Sequence, residues 1–246
     1  MFRSLLSIVL SLLFVAPPAW AIPTGDQPAG EVKALIPDAS RNAQPLTVKD
    51  TLQWNDLLKT DVKGRLRAGL TDGSILSLGS NSELKVVQHD ATAQQTLIEM
   101  NYGKLRSQVV KITNPSGKYE VKTPNAVIGV IGTDFYVAYD NNRTTVICYQ
   151  GQLTVTLAAS TTVTLTLNAG QMVEVSGKDV MGQPSTAPPA VVQTTIGDTN
   201  IPALGKKQAG VSTRTKIIVA TAMIVTAGLT VALTQINSSS KPCGCK

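Results

Sequence analysis

Side chains that do chemistry are scarce in this chain of 246 residues. It has one histidine, His89, three cysteines, Cys148, Cys243 and Cys245, and only 4% aromatic and 15% charged residues. A two-Cys, two-His zinc site cannot be assembled from one imidazole. A lone cysteine nucleophile wants a histidine base, and Cys148, inside an apolar Val-Ile-Cys-Tyr run, reads as a small buried hydrophobe. His89 sits in the polar stretch from Gln88 to Gln95 and is expected to face solvent. Clustered positive charge is missing too. Residues 31–176 carry 14 basic against 13 acidic side chains, while residues 177–246 carry 7 against 2, so most of the net charge of +6 belongs to the C-terminal part. A nucleic-acid partner needs cations gathered on the folded face, and none is expected. No catalytic residue, metal site or cofactor follows from these counts.

What is present is β structure, rich in Thr, Val and Gly. Leu66, Ala68 and Leu70 alternate before the turn Asp72-Gly73-Ser74, and Ile75 to Leu78 answer, which predicts a hairpin. Further turns are expected at Asn81-Ser82, Asn101 to Lys104, Pro115 to Gly117 and Asp140 to Asn142, with a polar loop from Gln88 to Gln95. Strands at this spacing, with no amphipathic helix among them, predict an all-β fold, either a compact β-sandwich or a short β-solenoid-like roll. Leu153 to Leu157 and Val163 to Leu167 alternate apolar residues with threonine and should pair across the turn between them. One face of that hairpin is then buried, and the other is uncharged and lined by threonine. This face is either plain solvated surface or a place where another strand, including one from a second copy, could pair.

The least regular stretch runs from Thr123 to Phe135. Pro124 ends the incoming strand, Gly129 and Gly132 can take backbone angles closed to their β-branched neighbours, and Ala126 to Ile131 lack alternation, as backbone buried on both faces does. The stretch reads as a buried crossover or as a ligand-contacting loop. Here the chain resembles the FecR domain, a bacterial extracytoplasmic β domain, through five motifs in order. They are Asp72 to Ser82; Tyr102 to Arg106; the stretch Thr123 to Phe135; Gln150 to Val155; and Ala169 to Gln171. Relatives commonly carry an arginine before the Gly-Thr pair, where this chain has Ile131. The resemblance implies a non-catalytic module of the cell envelope, with Asp72, Gly73, Ser74, Asn81, Thr123, Pro124, Gly132, Thr133 and Phe135 as structural or ligand-contacting motif residues.

The ends suggest an exported, anchored protein. Residues 1–21 read as a signal peptide, with Arg3, an apolar run from Leu5 to Ala16 and a small-x-small site at Ala19 to Ala21. The β domain is expected over residues 30–176, a disordered Pro/Gly linker over 177–213, a transmembrane helix over 217–236 and a short cytoplasmic tail over 237–246. Lys206, Lys207, Arg214 and Lys216 precede the span and only Lys241 and Lys246 follow it, against the positive-inside rule; the signal peptide is given the greater weight. Cys243 and Cys245 could pair, share a metal between chains, take a palmitoyl group or do nothing. The expected location is the periplasmic or extracytoplasmic face of the cytoplasmic membrane, with a protein or envelope ligand as partner. Classical relatives relay a signal to a sigma factor, but with a cytoplasmic segment at the N-terminus that is not read here. The alternatives are a self-assembling structural domain, or a cell-wall glycan hydrolase using carboxylates from Asp72, Asp134 and Glu99.

Overall fold

The computed structural model describes residues 28–201. The signal peptide, the span and the tail expected at residues 1–21, 217–236 and 237–246 lie outside the described residues. In chain order the strands are β1 (Pro28–Ile36), β2 (Ala39–Arg41), β3 (Gln44–Pro45), β4 (Thr51–Gln53), β5 (Leu57–Thr60), β6 (Arg65–Leu70), β7 (Ile75–Leu78), β8 (Ser82–Asp90) and β9 (Gln95–Gln108). There follow β10 (Lys118–Lys122), β11 (Ala126–Val130), β12 (Asp134–Asp140), β13 (Arg143–Gln150), β14 (Gln152–Leu157), β15 (Ser160–Asn168), β16 (Gln171–Ser176), β17 (Val180–Met181), β18 (Ser185–Thr186) and one helix, α1 (Pro189–Thr199). The fold is all-β, as expected. Among the described residues no helix is long and apolar enough to cross a membrane.

The strands form two sheets. In the first, β4, β1, β6, β7, the second half of β9, β12, β13 and β16 lie side by side, with β17 and β18 sharing the outer edge of β16. In the second the order is β3, β2, β5, β8, the first half of β9, β10, β11, β14 and β15. The pairing of β9 with β10 is parallel; the other recorded pairings are antiparallel. Leu66, Leu76, Leu105, Phe135 and Val146 of the first sheet and Leu84, Ile98, Val121, Ile128 and Val155 of the second are fully or almost fully buried in one continuous core. The expected hairpins β6–β7, β12–β13 and β14–β15 form. The β12–β13 turn places both Asn141 and Asn142 at positive φ, 49° and 59°, as a tight hairpin turn with the twist of its strands requires.

Three expectations of local structure are corrected. Asn101 to Lys104 is not a turn, because β9 runs through it as one strand of 14 residues. Thr96, Ile98 and Met100 point inward from the second sheet, and Leu105 and Ser107 inward from the first. The alternation therefore slips by one position where the strand changes sheet. Gly103, with φ +99°, takes the bend, and a Cβ there would lie 2.3 Å from Ser82 Cα. Ala126 to Ile131 is not buried on both faces: Ala126, Ile128 and Val130 are buried, Val127 and Gly129 only partly, and Ile131 is 69% exposed. The run is an ordinary strand whose outward positions happen to be apolar or glycine.

The third correction concerns residues 177–213, which are ordered from the start of that segment to Ile201. Proline breaks a helix only in its interior; at the first turn its fixed φ and missing N–H cost nothing, and Pro189 begins α1. The helix lies over the outer face of the first sheet, where Val191, Val192 and Ala187 join Tyr136, Ile147, Tyr149 and Met172 in a second apolar cluster.

Candidate functional site

Motif residues gather where the chain passes from one sheet to the other. Three crossings stack together: residues 109–117 lead from β9 to β10, residues 131–133 from β11 to β12, and Gly151 from β13 to β14. The first two are bonded to each other, with Val109 N donating to Thr133 O at 3.0 Å and Ile112 N to Ile131 O at 3.0 Å. Thr133, 3% exposed, donates its hydroxyl to Gln152 O at 2.9 Å, which adds the third. Gly132 has φ +134°, and a Cβ there would sit 2.8 Å from Lys111 Cα; Gly151, at φ +84°, has Gly132 O at 2.9 Å. Phe135 follows, fully buried in the core.

Thr123 closes the β10–β11 hairpin, accepting from Ala126 N at 3.0 Å. Its hydroxyl lies 2.8 Å from that of Thr144, which in turn donates to Asn125 Oδ1. Asn125, completely buried, sends its amide hydrogens to Asn142 O and Val175 O at 3.1 and 3.2 Å. A satisfied polar network therefore ties a hairpin of the second sheet to a turn and a strand of the first. Pro124 is exposed at the tip.

Asp72 spends both carboxylate oxygens on Ser74, accepting from its N–H at 2.8 Å and its hydroxyl at 2.9 Å, across Gly73 at φ +90°. Ser74 Oγ accepts from Val110 N at 3.1 Å, linking this turn to the first crossing. His89 is not solvent-exposed as expected. It is 2% exposed, with its ring nitrogens 2.9 Å from the hydroxyls of Thr96 and Thr71. Burial holds its pKa below the ordinary 6.5, against the opposing pull of Asp72 and Asp90. Asn81 takes φ 48° and donates to Asp61 O at 3.1 Å, and Asn81 O lies 2.4 Å from where a Cβ of Gly103 would be.

The outer face of the first sheet holds what sequence reasoning missed. Arg106 binds Asp134 through both oxygens, at 2.9 and 2.7 Å, and its guanidinium lies 5.3 Å from the centre of the Tyr149 ring. That hydrogen bonding raises the arginine's pKa above its usual value. Tyr149 donates to Thr195 Oγ1 of α1 at 2.6 Å, and Thr195 passes its own hydrogen to Val191 O at 2.9 Å. At the far end of the helix Lys104 pairs with Asp198 at 2.7 Å, Arg65 donates to Asp198 O at 2.9 Å, and Arg67 reaches Asn200 Oδ1 at 3.1 Å. The cations Arg65, Arg67 and Lys104 thus hold the end of the helix at which its dipole is negative. Arg65, Arg67, Lys104 and Arg106 occupy outward positions of their strands, a signal visible only once the register is known.

The nominated acids do not converge. Asp72 is committed to Ser74, Asp134 to Arg106, and Glu99 is exposed on the outside of the second sheet. The recess that Glu99 borders, of about 250 Å³, is lined otherwise by Met100, Asn101, Lys122, Thr123 and Pro124. Cys148 is fully buried, and desolvation helped by the charge of Asp134 pushes its thiol up to about 11. Among the described residues no three His, Cys, Asp or Glu side chains lie close enough to hold a metal ion.

The arrangement defines an all-β domain whose signature residues secure turns and sheet crossings. Residues 56–154 match the family model described as FecR protein. Two solved structures from Parabacteroides distasonis ATCC 8503, each provisionally described as an anti-sigma factor, resemble the chain at 16% identity with a TM-score of 0.48. The similarity covers 56% of this chain and 62% of theirs, so the match spans less than two thirds of their length. No curated protein matches.

Proposed function

We propose that the protein is a non-catalytic envelope-signalling module. In this reading it is an exported FecR domain, anchored to the cytoplasmic membrane through residues 217–236, that recognises a protein or cell-envelope ligand on the extracytoplasmic side. The observation that carries the reading is the FecR match over residues 56–154. The commitment of the motif acids and glycines to architecture, with Asp72 held by Ser74, Asp134 by Arg106 and Glu99 apart from both, supports binding over hydrolysis. The length of sequence between α1 and the expected span fits as well. The helix is fixed to the domain and ends at Thr199, so 17 residues separate it from Ile217.

The experiment is a reporter that works only after export, alkaline phosphatase, fused after Ile201 in the intact chain. Phosphatase activity in living cells is the expected result. An inactive phosphatase, with a cytoplasmic reporter active at the same junction, overturns export and the envelope role with it. Photo-crosslinking from the exposed tip at Pro124 in the same cells then identifies what the domain meets.

A further inference from the structure

The two sheets have four edges, and three are blunted. β4 has 3 residues, β3 has 2, and β17 and β18, which share an edge, have 2 each. The fourth edge is β15, with 9 residues and, among the described residues, no pairing beyond β14. Long edges are ordinarily guarded by charge, proline or a covering element. Here no charged residue occurs between Arg143 and Glu174, and β15 contains no proline.

The edge is also unfinished on both faces. Toward the core, Leu165 packs only partly and Val163 remains 43% exposed. Toward solvent runs a ladder of threonines, in which Thr154 faces Thr166 and Thr156 faces Thr164, the latter pair 3.0 Å apart between hydroxyls. Threonine opposite threonine is a favourable cross-strand pair, and the ladder stops only because the strands do.

We propose that β15 pairs antiparallel with β15 of a second copy, around a two-fold axis through Leu165. In that register Thr164 lies opposite Thr166, Leu165 opposite its own equivalent and Val163 opposite Leu167, so each face meets its like. A shift by one residue would set threonine against leucine and is disfavoured. Neutrality favours a second copy over a charged peptide: self-pairing brings no like charges together, and a charged segment finds no complement here. The pairing is isologous, so it uses up the open edge and closes as a dimer. It does not depend on export or on the nature of the ligand.

The test uses the full chain in mild detergent with Cys243→Ser and Cys245→Ser, leaving Cys148, which is buried. Thr164→Cys and Thr166→Cys variants are mixed and oxidised gently. The mixture forms an intermolecular disulfide, and adding Thr162→Lys and Asn168→Lys to both partners, positions that lie opposite each other in this register, lowers its yield about tenfold. Sedimentation of the unmodified protein reads the same dimer, and Thr164→Lys with Thr166→Lys abolishes it while circular dichroism stays unchanged. A monomer, a dimer indifferent to those lysines, or a disulfide to a different protein overturns the proposal.

Discussion

Arg106 on β9 and Asp134 on β12, diagonal neighbours across the paired strands, form a two-pronged ion pair, 2.9 and 2.7 Å between nitrogen and oxygen, in the middle of the first sheet. Both side chains are mostly covered, 22% and 13% exposed, so solvent screens the pair only in part. Replacing Asp134 by Asn leaves a guanidinium under α1 without its counter-charge. Such a loss costs about 1–3 kcal/mol. Arg106→Lys keeps the charge and loses the fork, and it should recover less than half of that. Urea unfolding midpoints of the two variants, with slopes unchanged, decide the matter.

Asn125→Ala is expected to be worse than its size suggests. It strands the hydroxyl network of Thr123 and Thr144 and leaves Val175 O buried without its donor. A loss of about 2–4 kcal/mol is expected, from two or more unsatisfied groups. Pro124→Ala, one residue away and exposed, should change stability by under about 1 kcal/mol. Equal losses in thermal melts would contradict the account of the network.

Acid should loosen the domain through His89. The unfolded imidazole titrates near 6.5, whereas burial between Thr71 and Thr96 lowers its pKa in the fold. The unfolded chain therefore binds the proton more readily, and stability present above 6.5 is lost as pH falls through that value and below. His89→Gln removes this part of the slope. Stability measured by urea at several pH values should show a flatter curve for the variant between about pH 7 and 5; parallel curves would remove His89 from the explanation.

Two glycine substitutions should have opposite signs. Gly103→Ala puts a methyl 2.3 Å from Ser82 Cα on a backbone at φ +99° and is expected to cost more than about 2 kcal/mol. Gly197, inside α1, has nothing within 4 Å of its Cβ position. Gly197→Ala should strengthen this helix, which is short and rich in β-branched residues, by about 0.5–1 kcal/mol. Amide exchange across residues 189–199 reads the second effect directly.

The sequence made strands and hairpins legible because inward and outward residues alternate, and turns because Asn, Asp and Gly mark them. It concealed the places where alternation breaks for a geometric reason. β9 looked like two strands since its inward side changes at Gly103, and α1 looked like linker since proline, a helix starter here, is also a helix breaker. His89 looked exposed because its neighbours from Gln88 to Gln95 are polar, yet its ring turns inward to the hydroxyls of Thr96 and Thr71, outside that stretch. The motif residues were visible as a set, but that they hold three crossings together depends on partners such as Gln152 and Lys111, distant in sequence.

Because β9 is a member of both sheets, neither layer can come apart while the other survives. Damage at one end of that strand should be felt at the opposite end, and the domain should melt in a single step. Unfolding in one step would leave no half-open form for a protease to find.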